Sequence, residues 1–303
     1  MIYYVSTERY SNTIRHFTRN LRRETRGLIA SLTYEELFFE RAGPVGHYIF
    51  TDFDRLTRYE LESAAVFAAA LSRSVPQARI LNHPLKALER YPLLIALHRA
   101  GLNGFTATRL ESGDLPPKFP VFIRAEDGYA GPETDLLDNE AEYEAALKAL
   151  EDRGLPKRGR IAIGFANERS PDGYFHKYGA FNIGGTIIPH DRLYGQNWAV
   201  KFYPSADGFT AQDEEYGKSD VGVAKELEYI KLNPHRAILL RAFSIAGIEF
   251  GRADYGLVDG RVQIYEINTN PHMPYGSPDT RRAERRVIIK AGIFDALTRI
   301  NIP

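Results

Sequence analysis

The sequence predicts an α/β protein whose C-terminal part takes on α+β character. Two observations carry that expectation. Over the first 82 residues, β-rich segments alternate with a helical one, the order that builds a parallel sheet. From residue 171 onward, strand-like segments flank Ile183-Gly184-Gly185 and Val258-Asp259-Gly260, which read as hairpins and therefore as antiparallel pairs. At 303 residues the chain is long enough to bury a large core and to divide into more than one domain.

The elements follow in order. "MIYYVS" is a compact apolar run of the kind that forms a buried strand, and "HYIFTDF" (47–53) is another. "TRYELESAAVFAAALSRSV" has helical apolar spacing, and "ARILNHP" (78–84) is a short strand stopped by proline. "LKALERYPLLIALHRAGL" is helical, with Pro92 inside it and a glycine stop. "FTATRL" and the proline-rich "GDLPPKFP" come next, so a boundary falls between residues 82 and 110. "FPVFIRAEDGYAGPETD" (119–135) is a strand running into a loop that holds Gly128 and Gly131. "NEAEYEAALKALEDRG" is a helix, acidic early and basic late as its dipole favours. "RIAIGFANE" is a strand, "YFHKYGAFNIGGTIIPHDRL" a hairpin and "NWAVKFY" a short strand. Residues 205–222 are polar and are expected to form an exposed loop. "AKELEYIKLNPHRAILLRAFSIAG" is helical, kinked or split at Pro234, and "RRVIIKAGIFDALTRI" closes the chain as a helix.

Composition removes several classes of function. Apolar residues at 44% and charged residues at 26% are ordinary for a soluble globular protein. Lys plus Arg equals Asp plus Glu, 39 each, so no excess basic charge points to nucleic acid or an anionic membrane. The N-terminus, "MIYYVSTERYSNTIRHFTRN", has no long apolar run and reads neither as a signal peptide nor as an anchor. The absence of cysteine excludes disulfides, thiolate metal sites and a cysteine nucleophile, and fits a cytoplasmic protein.

One stretch stands apart: "RADYGLVDGRVQIYEINTNPHMP", residues 252–274. Carboxylates on half-buried strands are unfavourable unless positive charge lies between them. A two-residue Asp259-Gly260 turn places Asp254 opposite Tyr265 and sends Glu266 to the other face. A three-residue loop, Val258-Asp259-Gly260, places Asp254 opposite Ile264 and brings Asp254, Glu266 and Asn268 to one face. The convergent register, and so the three-residue loop, is the expectation. Two carboxylates and an amide oxygen, with no His or Cys between them, suit a hard cation, magnesium (Mg2+) or manganese (Mn2+). The spacing of Gly260 and Glu266 matches an EF-hand, but Tyr255 and Leu257 stand at its first and third ligand positions, so that reading fails. A second reading stays open, in which Asp254 pairs with Arg252 or Arg261 and Glu266 sits at a sheet edge.

The stretch resembles the C-terminal part of the ATP-grasp superfamily, in which an Arg-x-Asp strand and a Glu-x-Asn strand are followed by an Asn-Pro run. The matching residues are Arg252, Asp254, Glu266 and Asn268, then Thr269, Asn270 and Pro271. "LNHPLKALERYPLLIALHRAGLNGFTAT" is similar to the family's linker, and the order of later segments also matches over most of residues 80–275. The resemblance implies an ATP-grasp fold, two α+β subdomains clasping ATP behind a small α/β domain. It divides the chain into residues 1–82, residues 83–170 (linker helix and small subdomain) and residues 171–303 (large subdomain with the metal-binding hairpin). Three positions depart from the family pattern. Arg124 stands where lysine is usual. The hinge strand offers Gly164 and Phe165, with Glu168 the nearest acid. His272 follows the proline where glycine is frequent.

What the resemblance implies for chemistry is a ligase that joins a carboxylate to an amine or thiol through an acyl phosphate, releasing ADP and phosphate. Asp254, Glu266 and Asn268 would hold magnesium. Arg124, Lys177 and Lys201 would contact the phosphates, and the loop with Gly128 and Gly131 would close over them. Glu168 would lie toward the adenosine, and Arg252 would stabilise the transferring phosphoryl group. His190 and Arg192 could face the substrate, and no general base is assigned. The implied partners are a small-molecule or peptide carboxylate and an amine or thiol acceptor, with no nucleic acid and no membrane. Relatives of the fold are often dimers, so a homodimer is part of the expectation. A kinase, or a non-catalytic ATP-binding protein, would use the same apparatus.

Overall fold

The computed structural model describes residues 1–127, 131–200, 202–205, 208–211, 214–274 and 280–301. The N-terminal strands are apolar runs with little exposure on either face, as parallel strands covered by helices require. β1 (Ile2–Ser6) is followed by α1 (Asn12–Asn20), the single turn α2 (Arg22–Thr25), β2 (Ile29–Thr33) and α3 (Tyr34–Glu40). Then come β3 (His47–Phe50), α4 (Arg58–Ser74) and β4 (Ile80–Leu81), and the sheet runs β2-β1-β3-β4, parallel throughout. α3 and α4 each begin with a capping box, Thr33 with Glu36 and Thr57 with Glu60, which satisfies N–H groups left open at a helix start. α1, β2 and α3 were not anticipated. Only Ile14 and Phe17 of α1 are buried, too few for its period to stand out.

α5 (Arg90–Arg99) starts later than its apolar spacing suggests. Pro92 falls in the first turn, where its missing N–H leaves no bond unmade. β5 (Ala107–Arg109), β6 (Val121–Ala125), α6 (Glu140–Asp152) and β7 (Arg160–Gly164) follow. The three strands form an antiparallel sheet, β5-β7-β6. Tyr143 and Leu150 of α6 are buried against Val121, Ile123 and Ala162.

β8 (Phe175–Ile183) turns through Gly184-Gly185 into β9 (Thr186–Gly195). Residues 196–199 are a bend where a strand was expected; β10 (Phe202–Ser205) starts after it and pairs with β11 (Gly208–Ala211). With β11, α7 (Glu214–Lys218) and the start of α8 (Asp220–Leu232) occupy most of the segment expected to be an exposed loop. α8 ends at Asn233, in the left-handed conformation with φ 46°, so Pro234 separates it from α9 (Arg236–Ala246). β12 (Phe250–Val258), β13 (Arg261–Asn268) and α10 (Ala283–Asn301) complete the chain, and the large antiparallel sheet runs β13-β12-β8-β9.

The N-terminal and large sheets share one core, in which Ile2 and Tyr4 meet Phe181, Phe243, Phe250 and Leu297. Buried Asn82 joins the two by hydrogen bonds. Its Nδ2 donates to the carbonyls of Phe50 and Phe250, and its Oδ1 accepts from the N–H groups of Glu249 and Phe250. No helix among the described residues is long and apolar enough to cross a membrane.

Candidate active site

The β12–β13 hairpin settles the register question in an unexpected way. Asp259 and Gly260 have φ of 50° and 71°, and Val258 pairs with Arg261. This is a two-residue turn with both φ values positive, for which Asp-Gly is well suited; the expected three-residue loop is not formed. The ladder continues to Tyr255 opposite Ile264, so Ile264 lies on the other face and is buried in the core. Tyr265 is then an extra residue. The register shifts there, and Asp254 pairs with Glu266 and Arg252 with Asn268. A bulge restores the shared face that the turn alone would have lost. Gly256 makes room for it, because a Cβ there would lie 1.9 Å from Tyr265 Oη. Tyr265 Oη donates to the Ala166 carbonyl at 3.0 Å, holding the ring toward the small sheet.

Between the small and large sheets lies a cavity of about 300 Å³. One end is aromatic: Trp198 has its ring centroid 4.9 Å from that of Phe122 and 5.9 Å from that of Phe165, and Tyr265 also lines the wall. The other end is charged. Arg90 Nη2 donates to Glu266 Oε2 at 2.6 Å, and Arg124 Nη1 stands 3.8 Å from the same oxygen. Lys177 Nζ donates to Asp254 Oδ2 at 3.0 Å, and Arg252 Nε to Asp254 Oδ1 at 3.0 Å. Four cations thus surround these two carboxylates, and Asp54, Glu89, Glu126 and Asp127 add further acids to the cavity lining. Burial alone would raise the Glu266 pKa, but Arg90 and Arg124 outweigh it and hold the carboxyl below its usual range. Burial pulls the Arg124 guanidinium down to about 10, so it stays charged at neutral pH. Burial also opposes the charge on Arg252, but Asp254, Asp191 and Glu266 raise its pKa above the ordinary value.

Arg124, Gly131, Lys177, Asp254, Glu266 and Asn268 all line the cavity. Arg252 shares the face of Asp254 and sits beside it, mostly buried. Glu168 turns elsewhere: its Oε1 accepts from the Asp259 N–H at 3.0 Å, at the tip of the hairpin, and Gly164 to Asn167 line the cavity instead. Gly128 and Lys201 lie outside the described residues. Arg192 belongs to the opposite face of the sheet, with Nη2 3.1 Å from His176 Nδ1. The ion pair between Asp254 and Arg252 is present, and β13 is the edge strand, so part of the alternative reading of the hairpin also holds.

Arg90 was not anticipated. It is the first residue of α5, far from the hairpin in sequence, and one signal pointed to it. The first turn of α5 carries no acidic residue, and a cation there opposes the helix dipole.

Among the described residues no group of three or more His, Asp or Glu is placed to hold a metal. The oxygens present still fit a hard divalent ion, with two carboxylates and the Asn268 amide along one cavity wall. Asn268 Oδ1 accepts from the Asn270 N–H at 2.8 Å, which fixes the orientation of the amide.

No protein-family model matches the chain, and no curated protein matches it in sequence. Solved structures do match over nearly the whole length. D-alanine–D-alanine ligase from Bacillus anthracis, complexed with ATP, aligns at a TM-score of 0.54 and 12% identity, covering 99% of this chain and 98% of that one. The ATP-grasp ligase PsnB with its precursor peptide PsnA2 and AMPPNP gives 0.55 at 13% identity, covering 99% and 97%. D-cycloserine synthetase DcsG gives 0.52 at 14%, covering 98% and 100%. At such identities the likeness establishes the fold, and that fold is the ATP-grasp fold.

Proposed function

We propose that this ATP-grasp chain is an ATP- and magnesium-dependent ligase that joins a carboxylate to an amine or thiol. The observation that carries the reading is the polarity of the cavity, aromatic at one end, with Arg90, Arg124 and Lys177 gathered around the paired carboxylates at the other. A purine stacks on the rings of Phe122, Phe165 and Trp198. A triphosphate meets Arg90 and Arg124 as planar forks and Lys177 as a point charge. Residues 83–170 and 171–303 then act as two jaws, with the Gly128–Gly131 loop and Lys201 completing the phosphate site.

Asp254, Glu266 and Asn268 would hold the metal. When bound, magnesium would supply positive charge against the phosphates and against the charge that develops during transfer. The chain's own residues position and stabilise. Arg90, Arg124 and Lys177 orient the triphosphate, and Arg252 stabilises the phosphoryl group as it passes to the substrate carboxylate. The nucleophile then attacks the acyl carbon and phosphate departs. The solved structures named above are ligases and a synthetase, which favours ligation over phosphorylation of a stable acceptor.

The test is ADP release from ATP and magnesium with amino acids supplied as both carboxylate and amine. Release that requires the amine supports the ligase. Phosphate retained on an acceptor makes the protein a kinase. Nucleotide binding without ADP release makes it a non-catalytic ATP-binding protein.

A further inference from the structure

The large sheet contains a second bulge, on β9. Gly179 pairs with Asp191 and Ala180 with Pro189, so His190 is the extra residue. The row Glu266, Asp254, Gly179, Asp191 runs straight across the four strands on one face. Asp191 therefore stands two strand spacings, about 10 Å, from Asp254, with only a glycine between them. Gly179 is required there, because a Cβ would come within 2.4 Å of Asp191 Oδ1.

The His190 side chain is fixed on several sides. Nδ1 lies 2.6 Å from Asp191 Oδ2. Its carbonyl, which the bulge takes out of the ladder, accepts two hydrogen bonds from the Arg285 guanidinium of α10, at 3.1 and 2.6 Å. The ring meets Phe181 edge-on, with centroids 5.1 Å apart. Asp191 selects the tautomer with the proton on Nδ1 and leaves Nε2 as an acceptor. No hydrogen bond to Nε2 is made by the described residues.

Burial pushes the His190 pKa down against the pull of Asp191, and Arg285 and Arg252 push the same way, so the ring is neutral near pH 7. His272 lies within its field as well, where burial, His190, Arg252 and His16 all depress its pKa, and Glu226 pairs with Arg285 on the other side at 3.2 Å. Asp191, which orients the imidazole, shares a face with Asp254 and Glu266, on the β9 side of the carboxylate wall.

We propose that His190, oriented by Asp191, is the general base that takes the proton from the attacking amine. The assignment rests on the ligase reading above. The amine enters unprotonated, and its nitrogen lone pair forms the C–N bond at the acyl carbon. The C–O bond to phosphorus breaks with its electron pair on the phosphate. One N–H proton passes to His190 Nε2, and the imidazolium, stabilised by Asp191, gives it to the departing phosphate, which leaves as hydrogen phosphate. His190 thereby returns to its neutral form.

The test uses the full chain with ATP, magnesium and a mixture of the standard amino acids and D-alanine, comparing wild type, His190→Asn and Asp191→Asn. Asparagine at 190 keeps a donor for Asp191 and removes Nε2. Hydroxylamine is unprotonated at neutral pH and traps an acyl phosphate without a base. His190→Asn is expected to keep hydroxamate formation and lose about 10²–10⁴-fold in amine-driven ADP release. Asp191→Asn loses less and moves the acidic limb of the pH profile, where the base becomes protonated. Equal loss in both reactions, or in neither, overturns the base while the ligase stands. No hydroxamate and no ADP from the wild type overturns the ligase reading and the base with it. Nitrogen NMR of the ring gives a check without substrate, since a protonated Nε2 at pH 8 overturns the assignment.

Discussion

Replacing Glu266 by glutamine tests the charge balance of the cavity directly. Glu266 lies 2.6 Å from Arg90 and 3.8 Å from Arg124, and its side chain is 29% exposed. Removing one partner of a buried ion pair costs roughly 3–5 kcal/mol. The partial exposure and the dipole that glutamine retains lower this to about 2 kcal/mol. Unfolding entropy is ~2.1 cal/mol/K per residue, or ~0.6 kcal/mol/K for 303 residues, so the midpoint should fall by about 3 °C. ATP at a hundredfold above its Kd adds ~2.7 kcal/mol, about 4 °C, to the wild type. In the variant Arg90 and Arg124 lose the carboxylate they share and are freer to meet the triphosphate. ATP with chelator should therefore raise its midpoint by more than it raises that of the wild type, and the further increment from magnesium should shrink. The assay is differential scanning fluorimetry on both proteins, with ATP plus chelator and with ATP plus magnesium. A variant that melts with the wild type and responds identically to both mixtures would refute the role assigned to Glu266.

Trp198 is the only tryptophan in the chain and lines the aromatic end of the cavity. ATP should quench or shift its emission along the same curve that gives the thermal shift, and an unchanged spectrum at saturation would place the purine elsewhere. His176 supplies a pH dependence. Burial, then Arg192, push its pKa from the ordinary value down to about 4, with Asp172 opposing. Its stabilising contribution is complete above pH 6.5 and is lost as pH falls toward 4, because the unfolded chain takes up a proton that the folded one refuses. The loss is about 3 kcal/mol. Urea melts at pH 7.5 and 4.5 should therefore differ less for His176→Gln than for the wild type, and equal differences would show that the imidazole does not stay neutral. Gly256→Ala places a methyl against Tyr265 Oη and should cost about 1–3 kcal/mol, while weakening ATP binding by displacing the ring. Wild-type stability and affinity in that variant would show that Tyr265 moves aside without consequence.

Elements whose apolar period spans several turns or a full strand were legible, among them β1, α4, α6 and the β8–β9 hairpin. Those that rest on a few residues, such as α1 and β2, were not. The polar segment at 205–222 concealed β11, α7 and the start of α8, because its sequence has no apolar period to reveal an element. In the cavity, the acids could be read locally because Asp254, Glu266 and Asn268 lie on two adjoining strands. Their cations come from separate elements, Arg90 from α5, Arg124 from β6 and Lys177 from β8. Arg90 meets Glu266 across 176 positions of chain. Local patterning identifies which groups need partners, but the choice of partner belongs to tertiary packing. Turn chemistry shows the limit from the other side: Asp259-Gly260 formed the tight turn its residues prefer, and the correction was made five residues downstream, at Tyr265.

That correction has a consequence for how the hairpin can vary. Across a regular two-residue turn, facing residues are an odd number of positions apart, whereas Asp254 and Glu266 are separated by twelve. Deleting Tyr265 would make the separation eleven and leave the two carboxylates face to face in an uninterrupted ladder. Tyr265 is therefore an insertion that keeps the acids in frame, adding a ring to the aromatic end without moving the charges at the other. Two spacings of the same acidic pair, eleven and twelve, describe one wall with and without that ring. A hairpin of this kind can gain or lose a cavity-lining side chain in single-residue steps while its carboxylates stay in place.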